Sequence, residues 1–169
     1  MSWKEKLTLK DWFSYCPVTS SMVTDVPVPK VHRLIMKNEM TEVVRLRTFF
    51  FSICREYDID DDTAKTLNLA LEEWVANVIS YAYPKGMRGH VEVTADVADE
   101  VLTLVVKDYG APFDPTQHAE VDIDAELDER AIGGLGIHLV RTIMDSVVYQ
   151  RTADGYNRLV MKKIIDKRY

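Results

Sequence analysis

The chain has 169 residues, 47% of them hydrophobic and 28% charged, with a formal net charge of −6. That is enough length and apolar content for one domain with a substantial core. The acidic balance argues against a nucleic-acid binder driven by phosphate neutralisation, but it does not bear on a site for one nucleotide and a metal.

The two cysteines, Cys16 and Cys54, form neither a disulfide framework nor a zinc cluster. Cys54 falls in an apolar helical pattern, which predicts a buried, inert thiol. Lys4, Glu5 and Lys6 interrupt the N-terminus, so it does not read as a signal peptide. No stretch approaches the roughly 18 apolar residues of a membrane span. These features predict a soluble, cytoplasmic protein that contacts neither membrane nor nucleic acid directly.

Residues 1–29 hold Trp3, Trp12, Phe13 and Tyr15, with a short helix expected over 7–15. Pro27 and Pro29 then read as a linker. This segment is expected to be an N-terminal arm, resting on its own domain or contacting a partner, and the domain proper is placed at 30–169. From 31 to 37 the residues alternate, with His32, Leu34 and Met36 on one face, which predicts a half-buried strand. Asn38 is suited to cap the helix that follows. In that helix Val43, Leu46, Phe50, Ile53 and Tyr57 repeat at helical spacing.

A second helix, capped by the acids at 60–62, is centred on 67–83. Leu67, Leu71, Trp74, Val75, Val78, Ile79 and Ala82 recur there at three- and four-residue steps, so this helix should be buried on more than one side. It nevertheless carries Glu73 and Asn77 one turn apart, projecting within roughly 40° of each other. The pair either faces water, as polar helix faces commonly do, or marks a hard-metal or general-base site.

Pro84 ends the helix, and Gly86 and Gly89 lie in the exit loop. Two alternating stretches follow, 91–96 and 102–107, separated by Asp99 and Glu100, and they predict a β-hairpin. Asp108 is in phase with Leu102, Leu104 and Val106, so its carboxylate points to the apolar side. An inward acid needs a partner. Gly110 follows, where the backbone is free to turn or to approach a ligand. Residues 111–132 have no period and are acidic after Pro115, as in a long loop that is either a lid or disordered. Then Gly133, Gly134 and Gly136 open a helix, and a helix start of this kind presents backbone N–H groups to an anion. A second hairpin, turning at Asp154-Gly155, closes the chain.

Three motifs, LALEEWVANVISYAYP, VKDYGAPFDP and GGLGIHLVRTIMD, stand in one order with the expected elements between them. In this the chain, over 31–163, resembles the GHKL ATPase superfamily, which includes gyrase-type, mismatch-repair and histidine-kinase ATPase domains. Within it, the chain looks most like the anti-sigma-factor serine/threonine kinases. The resemblance implies a two-layer α+β sandwich with a mixed, mostly antiparallel sheet covered on one face by helices (the Bergerat ATP-binding fold).

The resemblance also implies roles. Glu73 matches the general base toward an attacking hydroxyl, and Asn77 the residue that holds Mg²⁺ against the triphosphate of ATP. Asp108 matches the acceptor for the adenine amino group, and Gly110 the glycine that lets adenine approach the backbone. Gly133, Gly134 and Gly136 match the phosphate-binding turn. Arg130 is a looser match to an arginine that meets the γ-phosphate, and Asn157 to a threonine near adenine. The implied activity is phosphorylation of a STAS-type anti-anti-sigma protein by a homodimer that also sequesters a sigma factor. Two departures stand out: Pro112 occupies the place of a second glycine, and Tyr81 that of a frequent histidine. Pro112 and the acidic lid keep alive a rival reading, a nucleotide-binding regulatory module that acts by partner binding without phosphoryl transfer. A plain ATPase without a protein acceptor is a third.

Overall fold

The computed structural model describes residues 30–115 and 134–165. The expected arm at 1–29, most of the loop before the second glycine motif, Arg130 and Gly133 lie outside the described residues. The element order is β1 (His32–Lys37), α1 (Val43–Glu56), α2 (Asp61–Asn77), β2 (His90–Ala98), β3 (Val101–Asp108), α3 (Gly134–Ile143), β4 (Ser146–Arg151) and β5 (Asn157–Ile164). The strands form one sheet in the order β1-β2-β3-β5-β4. Every pairing is antiparallel. The two-layer α+β fold is as expected, but the described sheet has no parallel component, because each neighbouring pair runs in opposite directions.

The period-two pattern decides which face of the sheet is covered. Met36, Val91, Val93, Ala95, Leu102, Leu104, Val106, Leu159 and Met161 are buried and share one face through the strand register. On the other face Ile35, Val148 and Ile164 remain exposed. The covering layer is the three helices, with α2 packed between α1 and α3. From α1 come Leu46, Phe50, Ile53 and Cys54, and from α2 Leu67, Ala70, Leu71, Trp74 and Val75. Full burial of a side chain such as Phe50 or Leu71 contributes about 1.5–3 kcal/mol. This sandwiched position explains why α2 is apolar over most of its circumference.

Helix α2 starts where Asp60 accepts a hydrogen bond from the Thr63 amide at 3.0 Å, with Asp61 and Asp62 in its first turn, where the helix dipole favours acids. After Asn77 the α-helix gives way to a π-helical segment, Val78–Ala82, a widened turn often found at functional sites. Asn38 does not cap α1 as expected. Its side chain instead donates to the Met87 carbonyl at 2.9 Å and accepts from the Gly89 amide at 2.8 Å. It ties the exit loop of α2 to the end of β1, and this bridge replaces the capping geometry.

The β2–β3 hairpin turns on Asp99 and Glu100, with φ of 50° and 62°, the left-handed pair that a tight two-residue hairpin requires. At the far end of the helical layer, Lys163 Nζ donates to the Ile143 carbonyl and to Asp145 Oδ1, both at 2.9 Å. Asp145 Oδ2 accepts from the Ile164 amide at 2.7 Å. These bonds pin the C-terminus of α3 to β5 and so fix how α3 lies against α2.

Candidate functional site

Two acids sit side by side on α2 and have different surroundings. Glu72 takes a two-pronged contact from Arg47, at 2.7 and 2.8 Å, and a third hydrogen bond from Asn68 at 2.9 Å. Its carboxyl is held below the ordinary range, by the Arg47 hydrogen bond first of all. This acid is a structural tie between α1 and α2. Glu73, one residue on, is half-buried and makes no ion pair among the described residues. It points instead toward α3. A Cβ added to Gly136 would stand 2.8 Å from Glu73 Oε2 and 3.2 Å from Asn77 Nδ2.

The third glycine of the GGLG motif is therefore inside the helix, where its lack of a side chain lets α3 lie directly on Glu73 and Asn77. Gly134 is the first residue of α3. The N–H groups of such a first turn have no intrahelical acceptor and favour an anion. Asn77 Nδ2 is buried without a hydrogen-bond partner among the described residues. A buried amide left unsatisfied costs about 1–3 kcal/mol, and its oxygen and nitrogen ends exchange by a simple flip. An amide of this kind fits a hard cation that keeps several waters, so the residue present suits Mg²⁺.

Beyond the end of α2, Gly110 packs on the π-helical segment. A Cβ there would come within 2.5 Å of both the Ala82 Cβ and the Ala82 carbonyl oxygen. The Ala111 amide donates to that carbonyl at 2.7 Å. Because the obstruction is backbone, only glycine fits. Trp74 stacks on Phe113 with ring centroids 6.2 Å apart, a contact between α2 itself and the segment following β3.

Asp108 is 3% exposed, as its inward phase predicts. Its Oδ1 accepts from the Gly110 amide and from Asn157 Nδ2, both at 2.8 Å. Burial pushes the carboxyl upward, while Asn157, the Gly110 amide and Arg151 pull it down. Strand register explains the meeting: Asp108 lies opposite Asn157, which lies opposite Arg151. Tyr83 closes the far side. Its hydroxyl donates to the His90 carbonyl at 2.9 Å and accepts from the Tyr109 amide at 3.1 Å. Burial raises its phenol, which keeps it a neutral donor.

The structure thus brings Gly136 onto Glu73 and Asn77 in the C-terminal half of α2, and Gly110, next to Asp108, onto Ala82 in the π-helical segment that follows. Asn157 joins Asp108. Arg130 and Gly133 fall outside the described residues. Sequence reasoning missed Tyr149 and Arg151, which surround Asn157 and read along the chain only as an alternating strand. The available signal was the hairpin turn at Asp154-Gly155, which sets Arg151 across from Asn157.

A two-layer antiparallel α+β sandwich with a buried acid at the end of a central strand and a glycine-opened helix laid on a Glu–Asn pair defines a class of nucleotide-binding ATPase domain. The profile of the histidine kinase-like ATPase domain family matches residues 36–163, and the chain belongs to that family. Among its relatives, the serine/threonine-protein kinase BtrW of Bordetella bronchiseptica is 33% identical over 96 residues, 57% of this chain and 67% of that protein. The serine-protein kinase RsbW of Halalkalibacterium halodurans is 29% identical over 135 residues, 78% of this chain and 80% of that protein. The structure of the RsbU and RsbW domains of Rv1364c from Mycobacterium tuberculosis shares the fold with a TM-score of 0.59 and 14% identity, covering 82% of this chain and 33% of that one.

Proposed function

We propose that this chain is an anti-sigma factor serine/threonine kinase that transfers the γ-phosphoryl group of ATP to a hydroxyl of a STAS-type anti-anti-sigma protein. The observation that carries the reading is the contact of Gly136 with Glu73 and Asn77. It places the start of a helix, an anion-favouring feature, against an acid with no ion-pair partner among the described residues. The kinase names of the relatives support the same reaction class.

In this reading Asp108 accepts the amino group of adenine through Oδ2, which takes no hydrogen bond among the described residues. The backbone amides of Gly133, Gly134 and Gly136 hold phosphate oxygens. Arg130 meets the γ-phosphate. Glu73 accepts the proton of the serine or threonine hydroxyl as its oxygen bonds to the γ-phosphorus. The bond from that phosphorus to the β–γ bridging oxygen breaks, and ADP leaves. Asn77 is the side chain that would hold Mg²⁺, whose charge neutralises the triphosphate when bound. Little covalent work falls to the protein, so positioning and charge stabilisation supply most of the rate. The chain works as a cytoplasmic homodimer and exchanges a sigma factor for the phosphorylatable partner. Among the described residues no helix is long and apolar enough to cross a membrane.

The test is transfer of label from γ-labelled ATP to a purified STAS-type protein, repeated with Glu73→Gln. Label on a serine or threonine of the partner, lost in the variant, is the expected result. ATP binding with no transfer overturns the kinase reading and leaves a nucleotide-binding regulatory module. Free phosphate released without a partner marks a plain ATPase.

A further inference from the structure

The amide of Asn157 is held in one orientation by two side chains on β4. Its Oδ1 accepts from the Tyr149 hydroxyl at 2.7 Å and from Arg151 Nη1 at 2.9 Å. Its Nδ2 then faces acceptors, Asp108 Oδ1 at 2.8 Å and the Ala111 carbonyl at 3.1 Å. Arg151 Nη1 also donates to the Gly110 carbonyl at 3.1 Å, so the guanidinium holds the Gly110 end of the turn directly and the Asp108 end through Asn157. A flipped amide would set its NH₂ against the Arg151 guanidinium and its oxygen against a carboxylate and a carbonyl, so Arg151, Asp108 and Ala111 select this orientation, and the Tyr149 hydroxyl then donates to Oδ1. Asn157 is 5% exposed, and in so buried a place an unmatched polar contact is costly.

We propose that Tyr149 and Arg151 are positioning residues for base selectivity: by fixing the Asn157 amide they keep Asp108 an acceptor-only carboxylate, which admits 6-aminopurine and rejects 6-oxopurine nucleotides. The inference rests on the nucleotide site proposed above. With the amide donating to Oδ1, the remaining oxygen of Asp108 meets the base as a pure acceptor. It pairs with a 6-amino group, and it repels the oxygen that hypoxanthine carries at the same position. Release of the amide removes a donor from Asp108 and, in the Arg151 variant, the nearby positive charge. Burial then favours the protonated acid, and a protonated acid donates to a 6-oxo group. Neither Tyr149 nor Arg151 needs to touch the base. Tyr83, the other titratable group facing Asp108, is unchanged throughout.

The experiment measures equilibrium binding of ATP and of ITP, each with magnesium, to the full chain at pH 7, as wild type, Tyr149→Phe and Arg151→Met. Wild type is expected to favour ATP by tenfold or more, and the ATP-to-ITP ratio to fall at least threefold in each variant. Arg151 is exposed on the edge strand, so its variant decides alone if Tyr149→Phe does not fold. A ratio that changes less than threefold, including equal loss of both nucleotides, overturns the positioning role and leaves the nucleotide site standing. Absence of ATP binding by the wild-type chain overturns both.

Discussion

Gly136 on α3 lies against Glu73 on α2 so closely that a methyl group on the glycine would stand 2.8 Å from the carboxylate oxygen. The obstructing atoms are the ends of two side chains, Glu73 and Asn77, and not backbone. Gly136→Ala is therefore expected to fold, since in a helix alanine is favoured over glycine by about 1 kcal/mol. The two polar side chains must swing aside to admit the methyl group. Phosphoryl transfer is expected to fall about 100-fold or more, because displacement of reacting groups by an ångström costs on that order. Circular dichroism melting and a transfer assay on the same preparation check both halves.

The neighbouring acids of α2 give a paired comparison. Glu72 is spent on Arg47 and Asn68, and its partner guanidinium is more than half exposed. Glu72→Gln is expected to cost roughly 1 kcal/mol of stability, the upper range for a partly exposed pair, and to leave transfer within a few-fold of wild type. Glu73→Gln is expected to do the reverse, with stability unchanged and transfer reduced about 100-fold or more. Urea unfolding and single-turnover transfer measured on both variants separate the two roles.

The degree to which this arrangement is legible in the sequence depends on the range of the contact. Asp108 is placed by the two-residue period of its own strand, and Glu73 and Asn77 by the turn of their own helix; both patterns are local. The approach of Gly136 to Glu73 joins residues far apart in the chain, and the sequence marks it only as a glycine without saying what it must make room for. Gly110 is similar: the Ala82 carbonyl that excludes a side chain there reaches it only because α2 widens into a π-helical segment after Asn77, and no residue pattern announces that. Asn38 had the right chemistry for a cap, but the exit loop of α2 competed for its side chain. Tyr149 and Arg151 were visible only as strand residues, since their hydroxyl and guanidinium matter through the register that the Asp154-Gly155 turn imposes.

Cys54 reports on the core. It is 2% exposed on the inner face of α1, and burial pushes its thiol up to about 11. The thiolate is the reactive form, so at pH 8 very little is present, and that little is shielded. Iodoacetamide at pH 8 is expected to leave Cys54 unmodified for hours in the native protein and to label it fully in denaturant. Peptide mass mapping distinguishes Cys54 from Cys16. Labelling of Cys54 in the native state at a free-thiol rate would contradict the packing of α1 against the sheet.

Asp108 places function and stability in opposition. Its carboxyl is raised above the ordinary 3.8 chiefly by burial. An acid whose folded value lies above its unfolded one binds more protons in the native state between the two. Stability therefore falls as pH rises through a window that opens at 3.8 and closes at the folded value, and the penalty is complete above it. Asp108→Asn removes that penalty and keeps a carbonyl to accept from the Gly110 amide and Asn157. The variant is expected to be at least as stable as wild type at pH 7, with its advantage shrinking as pH falls through the window. Its NH₂ then stands where the free carboxylate oxygen was, donor against the 6-amino donor of adenine. ATP affinity is expected to fall about 10- to 100-fold, the loss of one charged hydrogen bond, and the preference to move toward ITP. Thermal melting across pH 3–8 and nucleotide titration at pH 7 check the two expectations separately, and a variant that is less stable at neutral pH yet still prefers ATP would contradict both.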